Sequence, residues 1–202
     1  MPKPEKIDLY KIHKAEYVVP KKPVLIQVKP AKYLAFAGSQ KPGGEAFQAA
    51  IGALYAMAFT IKMTRKFAGQ DYKVCHLEGL YWKPGGEDLF QPPYEPLEWK
   101  LIIRVPDFIT ARDLKAAVAQ LKAKGKAPEA AQVKLETIRE GRSVQMLHLG
   151  PYEKEMETVS QMKALAEQQG FSLKGPHHEI YLSDPRRVPP ERLRTILRYP
   201  VR

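Results

Sequence analysis

Residues 177–187, HHEIYLSDPRR, place an acid and a phenol two positions apart in a segment that alternates like a β-strand. Because strand side chains alternate between faces, Glu179 and Tyr181 are expected to share one face. A carboxylate beside an aromatic ring can hold a cation, and in an apolar pocket it can orient or deprotonate a water molecule. The plainer alternative is a half-exposed acid paired with Arg194 or Arg198.

A second strand-like segment, HLEGLYW at residues 76–82, contains an acid at a similar place. Superposing HLE on HHE pairs Glu78 with Glu179, and WKLIIRVP at residues 99–106 superposes on LRTILRYP at residues 193–200. Both matches fall in the same order of elements, which predicts an internal duplication with the two acids in equivalent positions.

Aromatic and histidine side chains near these strands complete the set of candidates. Aromatic rings could stack on a planar ligand, although core or cross-strand packing is their commoner role. If the protein is an enzyme, we expect Glu179 and Tyr181 to be catalytic. The predicted ligand-binding residues are Glu179, Tyr181, Tyr152, Glu78, Trp82, Trp99, Phe36 and His148.

Metal and cofactor motifs are not found in the sequence. His177 and His178 are adjacent and point to opposite faces of a strand, so they cannot jointly bind one metal ion. The single cysteine, Cys75, has no neighbouring base and is typical of a small buried residue. Both Gly-Gly pairs follow proline and lack phosphate-loop spacing. We therefore expect no metal and no cofactor.

Hydrophobic periodicity predicts the elements that position these residues. We expect a helix of about 16 residues that begins at Glu45, and two further helices at 110–124 and 151–170. We expect Ile180 and Leu182 to pack against a helix, so that Glu179 and Tyr181 lie on a face without helices. Strands are predicted at 23–29, 32–37, 72–82, 97–105, 132–140, 143–150, from residue 177 and at 192–200.

This order predicts an α+β protein of two tandem homologous β-β-α-β-β halves related by a pseudo-two-fold axis. Its antiparallel sheets would form a central ligand groove, with the helices on the outside. The predicted divisions are an amino-terminal arm (1–22), a first half (23–108), a connecting helix and linker (109–130) and a second half (131–202).

Composition limits the classes of partner. The chain has 202 residues, 44% of them hydrophobic, which is enough to bury a core. Its net charge of +11 raises the question of nucleic acid, but the basic residues are scattered and no DNA- or RNA-binding motif accompanies them. We find no signal peptide and no run of about 18 apolar residues. We therefore expect a cytoplasmic protein without a membrane or nucleic-acid partner, and the oligomeric state stays open.

Three motifs in the second half resemble the GyrI-like (gyrase-inhibitor-like) small-molecule-binding domain: HLGPYEKE, HEIYLSDP and PERLRTILRYPV. The resemblance is specific from about residue 143 to 201 and weaker in the first half. It implies two α+β halves around a hydrophobic groove in which a glutamate contacts ligands, often cationic aromatic ones. Glu179 matches that glutamate by motif, and Tyr181 and Tyr152 match its aromatic neighbours less closely.

The resemblance implies several functions. The arm of some 22 residues is too short for a helix-turn-helix module, so we expect a stand-alone form rather than a transcription regulator. We expect it to bind or sequester hydrophobic, planar or cationic aromatic small molecules. One alternative is a hydrolase that opens the cyclopropane ring of DNA-alkylating natural products. There Glu179 would activate water, Tyr181 would hydrogen-bond, and Trp82 or Trp99 would stack on the substrate. A second alternative is a protein-interaction role such as gyrase modulation.

Overall fold

The computed structural model describes residues 6–39, 41–85, 89 and 97–202. Within them, eight strands form one sheet in the order β1-β6-β8-β7-β3-β4-β2-β5, and every neighbouring pair is antiparallel. The strands are β1 (Val24–Val28), β2 (Ala31–Gly38), β3 (Leu77–Trp82), β4 (Glu98–Arg104), β5 (Lys134–Ile138), β6 (Gly141–Leu149), β7 (His177–Tyr181) and β8 (Arg194–Pro200).

Among the described residues, three long helices and two single-turn helices accompany the sheet. Helix α4 begins with a capping box between Thr110 and Asp113. Helix α3 is longer than the predicted 16 residues, and one of its buried positions, Ile61, lies beyond the predicted end. The helices are α1 (Leu9–Ile12), α2 (Lys14–Tyr17), α3 (Glu45–Phe67), α4 (Ala111–Ala123) and α5 (Glu155–Gln168), with 3₁₀ turns at Pro128–Gln132, Tyr152–Lys154 and Pro190–Arg192.

The predicted α+β class with antiparallel strands is confirmed. Strands β3 and β7 meet at the centre of the sheet, and the strand order on one side of this pair repeats on the other. The first strand of each predicted half lies at the far edge of the opposite half, because β1 pairs with β6 and β5 pairs with β2. This symmetry is what a duplication would produce, but the duplication itself and the division boundaries stay predictions. Most of the Pro/Gly loop at 83–96 lies outside the described residues.

Helices α3 and α5 cover the same face of the sheet. Helix α3 packs on the β2-β4-β3 side, in a core that includes Leu34, Leu101 and Ile103. Helix α5 packs on the β6-β8 side through Val159 and Met162. The cross-strand register joins Leu101, Gly79, Glu179, Leu197 and Met146 in one row, so both cores and the centre of the sheet share this face.

The expectation that Glu179 and Tyr181 lie on a face without helices is wrong. They point to the face of α3 and α5, whereas Ile180 packs with Tyr17 of the amino-terminal segment on the opposite face. Alternation shows which residues share a face, but it does not show which face a helix will cover. The short helix α2 of the amino-terminal segment, and not one of the long helices, supplies the apolar cover of Ile180.

The amino-terminal segment, defined here as residues 6–22, is docked on the chain's own sheet. Glu16 of α2 forms an ion pair with Arg104 of β4 at 2.6 Å, and its main-chain oxygen accepts a hydrogen bond from Arg198 of β8 at 2.8 Å. Tyr17 donates to Glu78 of β3 at 3.3 Å. This segment therefore contacts strands on both sides of the central β3-β7 pair.

Helix α3 is long and apolar enough to cross a membrane by length and composition alone, which the sequence analysis did not anticipate. Core helices of globular proteins meet the same criterion. Seven residues of α3 are buried in the hydrophobic core, which is the behaviour of such a helix: Phe47, Ala50, Ala53, Leu54, Met57, Ala58 and Ile61.

Candidate functional site

The two central strands form the floor of the candidate site. In the β3-β7 register Gly79 lies opposite Glu179, and Tyr81 lies opposite His177. Paired residues of neighbouring strands share a face, and Tyr181 follows Glu179 by two positions. All five residues therefore lie on the face that α3 and α5 cover, at the centre of the sheet.

A third acidic group joins them from α5. A 3₁₀ turn, Tyr152–Lys154, follows Pro151 and delivers Glu155 as the first residue of the helix. Oε2 of Glu155 lies 3.3 Å from Nε2 of His177, and Oε1 of Glu179 lies 3.2 Å from the same nitrogen. One N–H of His177 is therefore shared between two carboxylates. We call Glu155, His177 and Glu179 the acid-histidine triad.

The triad is largely removed from water. Glu155 is 4% exposed and His177 is 2% exposed, while the side chain of Glu179 is 14% exposed. No described residue hydrogen-bonds Oε1 of Glu155, although this atom is buried. A buried carboxyl oxygen without a partner is costly in a core and is common where a ligand completes the site.

Burial and charge shift the pKa values of two residues of the triad, Glu155 and His177. Burial, and then the negative charge of Glu179, raise the pKa of Glu155 to about 7, although the hydrogen bond from His177 opposes the rise. Burial disfavours a charged His177, but its hydrogen bonds to the two carboxylates and their charges outweigh this and raise its pKa to about 9. Near neutral pH His177 is therefore protonated, and Glu155 is present in both its protonated and its charged form.

Tyrosines line the rest of the site. The hydroxyls of Tyr81 and Tyr181 lie 2.5 Å apart, and Tyr181 also hydrogen-bonds Glu179. The ring of Tyr152 meets that of Tyr181 edge-on, with 6.2 Å between centroids. Burial, more than any other cause, raises the pKa of both Tyr81 and Tyr181 well above the usual value, so both hydroxyls stay protonated. The structure thus brings together Glu179, Tyr181 and Tyr152 from the predicted set.

Three other predicted residues lie on the same face but have other neighbours. His148 of β6 hydrogen-bonds Thr158 at 2.8 Å and the main-chain oxygen of Pro151 at 3.1 Å, which is the structural role that a histidine at a strand end usually has. Trp99 of β4 and Phe36 of β2, which are two and three strands away from β7, stack on each other. They line a separate cavity of about 500 Å³ beside the first turn of α3.

The remaining two, Glu78 and Trp82, lie on the opposite face. Glu78 pairs with Ile180, one position out of register with the Gly79–Glu179 pair. The predicted equivalence of Glu78 and Glu179 therefore fails in the sheet, because an offset of one residue exchanges the faces. The prediction that both acids line one groove is wrong for the same reason. Trp82 packs beside Leu80 on the same side as Glu78.

Glu78 instead belongs to a buried ionic network beneath the amino-terminal segment. It is fully buried and lies 3.0 Å from Nε2 of His178, whose Nδ1 lies 2.8 Å from Glu140. Glu140 also forms an ion pair with Arg198 at 2.9 Å. Every charge here has a partner, so the network explains Glu78 without a ligand.

Sequence reasoning missed Glu155, His177 and Tyr81. Glu155 stands in the PYEKE part of a motif that carried the family resemblance, and this was the available signal. His177 was considered only as a metal ligand together with His178. Tyr81 lies in a strand-like segment where packing is the commoner role of an aromatic ring, and its hydroxyl partner, Tyr181, is 100 residues away.

The acid-histidine triad could also hold a metal ion. Its three ligand atoms lie within 4.8 Å of one another, and one histidine with two carboxylates is a familiar donor set for divalent metals. A metal would have to displace the proton from Nε2 of His177, and the raised pKa of that residue opposes this step.

Comparison with known proteins places these residues in a family context. The profile of the GyrI-like small molecule binding domain matches residues 109–202, which include the whole triad. An uncharacterized conserved protein from Listeria innocua has a TM-score of 0.88 and 38% identity, covering 98% of this chain and 100% of its own. A hydrolase from Listeria innocua has a TM-score of 0.89 and 37% identity, with the same coverage.

More distant structures share the fold alone. The C-terminal domain of EcmrR has a TM-score of 0.56 and 11% identity, covering 90% of this chain and 97% of its own. No protein with a curated description matches this chain.

Proposed function

Since this chain belongs to the GyrI-like small-molecule-binding family, we propose that it is a hydrolase that opens a strained ring in a hydrophobic, planar small molecule. The observation that carries the proposal is the pair of carboxylates, Glu155 and Glu179, on either side of His177. The Listeria innocua relative described as a hydrolase supports catalysis over binding alone. Tyr81, Tyr152 and Tyr181 supply aromatic surface for a planar substrate.

The environments of the two acids assign them different roles. Glu179 accepts hydrogen bonds from His177 and Tyr181, which hold its carboxylate in place and suit a general base. Glu155 has a raised pKa of about 7 and a buried oxygen without a described partner, which suit a general acid. Two carboxyl groups in different environments can serve acid and base steps in one reaction.

The proposed substrate class is a cyclopropane conjugated to a carbonyl, as in spirocyclopropyl cyclohexadienones. Glu179 removes a proton from water as the water oxygen bonds to a ring carbon. The adjacent ring C–C bond breaks, and its electron pair moves through the conjugated system to the carbonyl oxygen. Glu155 protonates that oxygen, so the product is the substrate plus one water.

His177 can restore the starting protonation state. After the reaction Glu179 carries a proton and Glu155 has lost one. Nε2 of His177 lies within 3.3 Å of both carboxylates, so it can donate its proton to Glu155 and then accept one from Glu179. No other group is needed for this return step.

The test is incubation of the protein with a spirocyclopropyl cyclohexadienone, followed by mass spectrometry. We expect the wild type to form the water adduct, and Glu179→Gln to form it about 100-fold more slowly or worse, as for loss of a general base. Glu157→Gln removes an exposed acid from the same first turn of α5 and serves as the matched control.

Binding without turnover is the contrary outcome. If the probe is unchanged at stoichiometric protein, the hydrolase proposal is wrong. A shift of the melting temperature by the probe or by a planar cationic dye, lost in Glu179→Gln, would then indicate sequestration.

A further inference from the structure

Gly79 occupies the point where the two tyrosine hydroxyls of the site meet. A Cβ atom at this position would lie 2.7 Å from Cε2 of Tyr81, 2.8 Å from the hydroxyl of Tyr81 and 2.9 Å from the hydroxyl of Tyr181. Contacts this short are not tolerated, so a residue with a side chain would force one or both rings to move. Gly79 itself lies directly opposite Glu179 in the sheet.

The need for glycine here is steric and not conformational. Gly79 is in the middle of β3 and is not among the glycines with positive φ. A glycine inside a strand weakens it and often marks a close approach by another group. In β3 the approaching groups are the hydroxyls of Tyr81 and Tyr181, and they explain why this position has no side chain.

The direction of the hydrogen bonds follows from Glu179. In the proposed function Glu179 acts as a carboxylate, which can only accept, so Tyr181 is the donor to it. The oxygen of Tyr181 must then accept from Tyr81, 2.5 Å away. The result is a chain of hydrogen bonds from Tyr81 through Tyr181 to Glu179, which fixes the orientation of the carboxylate.

We propose that Gly79 is a positioning residue for Glu179, and that it acts by leaving room for this chain of two tyrosine hydroxyls. The inference rests on the proposed function, in which Glu179 is the base. The further claim is that the two hydrogen-bonded hydroxyls need an empty space in β3, directly opposite the base. Tyr81 is only 7% exposed, so its ring has little freedom to yield to a Cβ atom.

The decisive variant is Gly79→Ala, which removes no functional group. Displacing the hydroxyls should lower kcat for the spirocyclopropyl cyclohexadienone about 10- to 100-fold, as misplacement of a supporting group does, with a much smaller change in KM. Tyr181→Phe removes the link to Glu179 without crowding and should cause a loss of the same order. Gly52→Ala on α3 is the matched control, because a Cβ atom there meets nothing within 4 Å.

A double-mutant cycle separates positioning from general damage to the fold. If Gly79 acts through the hydroxyls, Gly79→Ala with Tyr181→Phe should be no slower than Tyr181→Phe alone, within about a factor of 2. Additive losses would overturn the inference, as would wild-type turnover by Gly79→Ala. Melting temperatures of all variants show whether each one is folded.

The outcome also distinguishes this inference from the proposed function. If the wild type does not turn the probe over, the hydrolase proposal fails, and the same variants are compared for binding of ethidium, a planar cationic dye, by thermal shift. Gly79→Ala should then reduce the shift as much as Tyr181→Phe does. An unchanged shift in Gly79→Ala would overturn the positioning role in a binding protein too.

Discussion

At the scale of single residues, the site depends on two acids that differ only in their surroundings. Glu155 is nearly sealed in the protein and its pKa is raised to about 7, chiefly by burial and by the charge of Glu179. Its role as an acid requires the protonated form. Activity should therefore fall as the pH rises through about 7, and Glu155→Gln should remove this dependence while lowering kcat about 10- to 100-fold. The pH profile of kcat measures both effects.

Glu153→Gln provides the comparison, because Glu153 is exposed two positions earlier in the chain. It should keep the wild-type profile. A profile in which Glu155→Gln still loses activity through pH 7 would show that another group is the acid.

At the scale of elements, strand β7 serves a different purpose on each face. His177, Glu179 and Tyr181 face the candidate site, and His178 faces the buried ionic network between Glu78 and Glu140. Burial disfavours a charged His178, but the charge and hydrogen bond of Glu140, with those of Glu78, raise its pKa to about 9. Strand β7 therefore supplies side chains to the candidate site on one face and to a stabilising ionic network on the other.

This network predicts a loss of stability at alkaline pH. A raised histidine pKa contributes stability that is complete below about 6.5, the unfolded value, and is lost as the pH rises through about 9. The melting temperature should fall across this interval. His178→Gln should weaken the fall without abolishing it, because the pKa of His177 is raised in the same way.

His76→Gln is the control for that experiment. Burial lowers the pKa of His76, so this residue is already neutral above pH 6.5 and its removal should leave the alkaline dependence intact. An identical pH dependence in His178→Gln and the wild type would mean that His178 is not charged in the folded protein.

The sequence predicted the elements better than their arrangement. Alternation and periodicity located β7, α4 and α5, because local patterns report buried positions. They could not show that α2 would cover Ile180, since this depends on contacts between residues far apart in the chain. For the same reason Glu179 and Tyr181 were identified as a pair, while Glu155 and Tyr81 were missed.

At the scale of the whole molecule, the sheet has two sides, β1-β6-β8-β7 and β3-β4-β2-β5, which are joined in three ways. The β3-β7 pair joins them at the centre, and the edge strands β1 and β5 each cross to the opposite side. The amino-terminal segment forms the third link, since Glu16 contacts Arg104 of β4 and Arg198 of β8. The candidate site lies directly on the central pair, so its geometry depends on how firmly the sides are held.

The buried ion pair between Glu16 and Arg104 tests this third link. Glu16→Ala should leave Arg104, which is 3% exposed, without its anion, and breaking a buried ion pair in this way costs about 3–5 kcal/mol. Lys14→Ala, at an exposed position of the same helical turn, should cost well under 1 kcal/mol. Urea denaturation measures both free energies of unfolding. Equal stabilities of the two variants would show that the segment covers the sheet without holding its sides together. A loss confined to Glu16→Ala would show that the buried charges, and not the apolar cover alone, fix the segment in place.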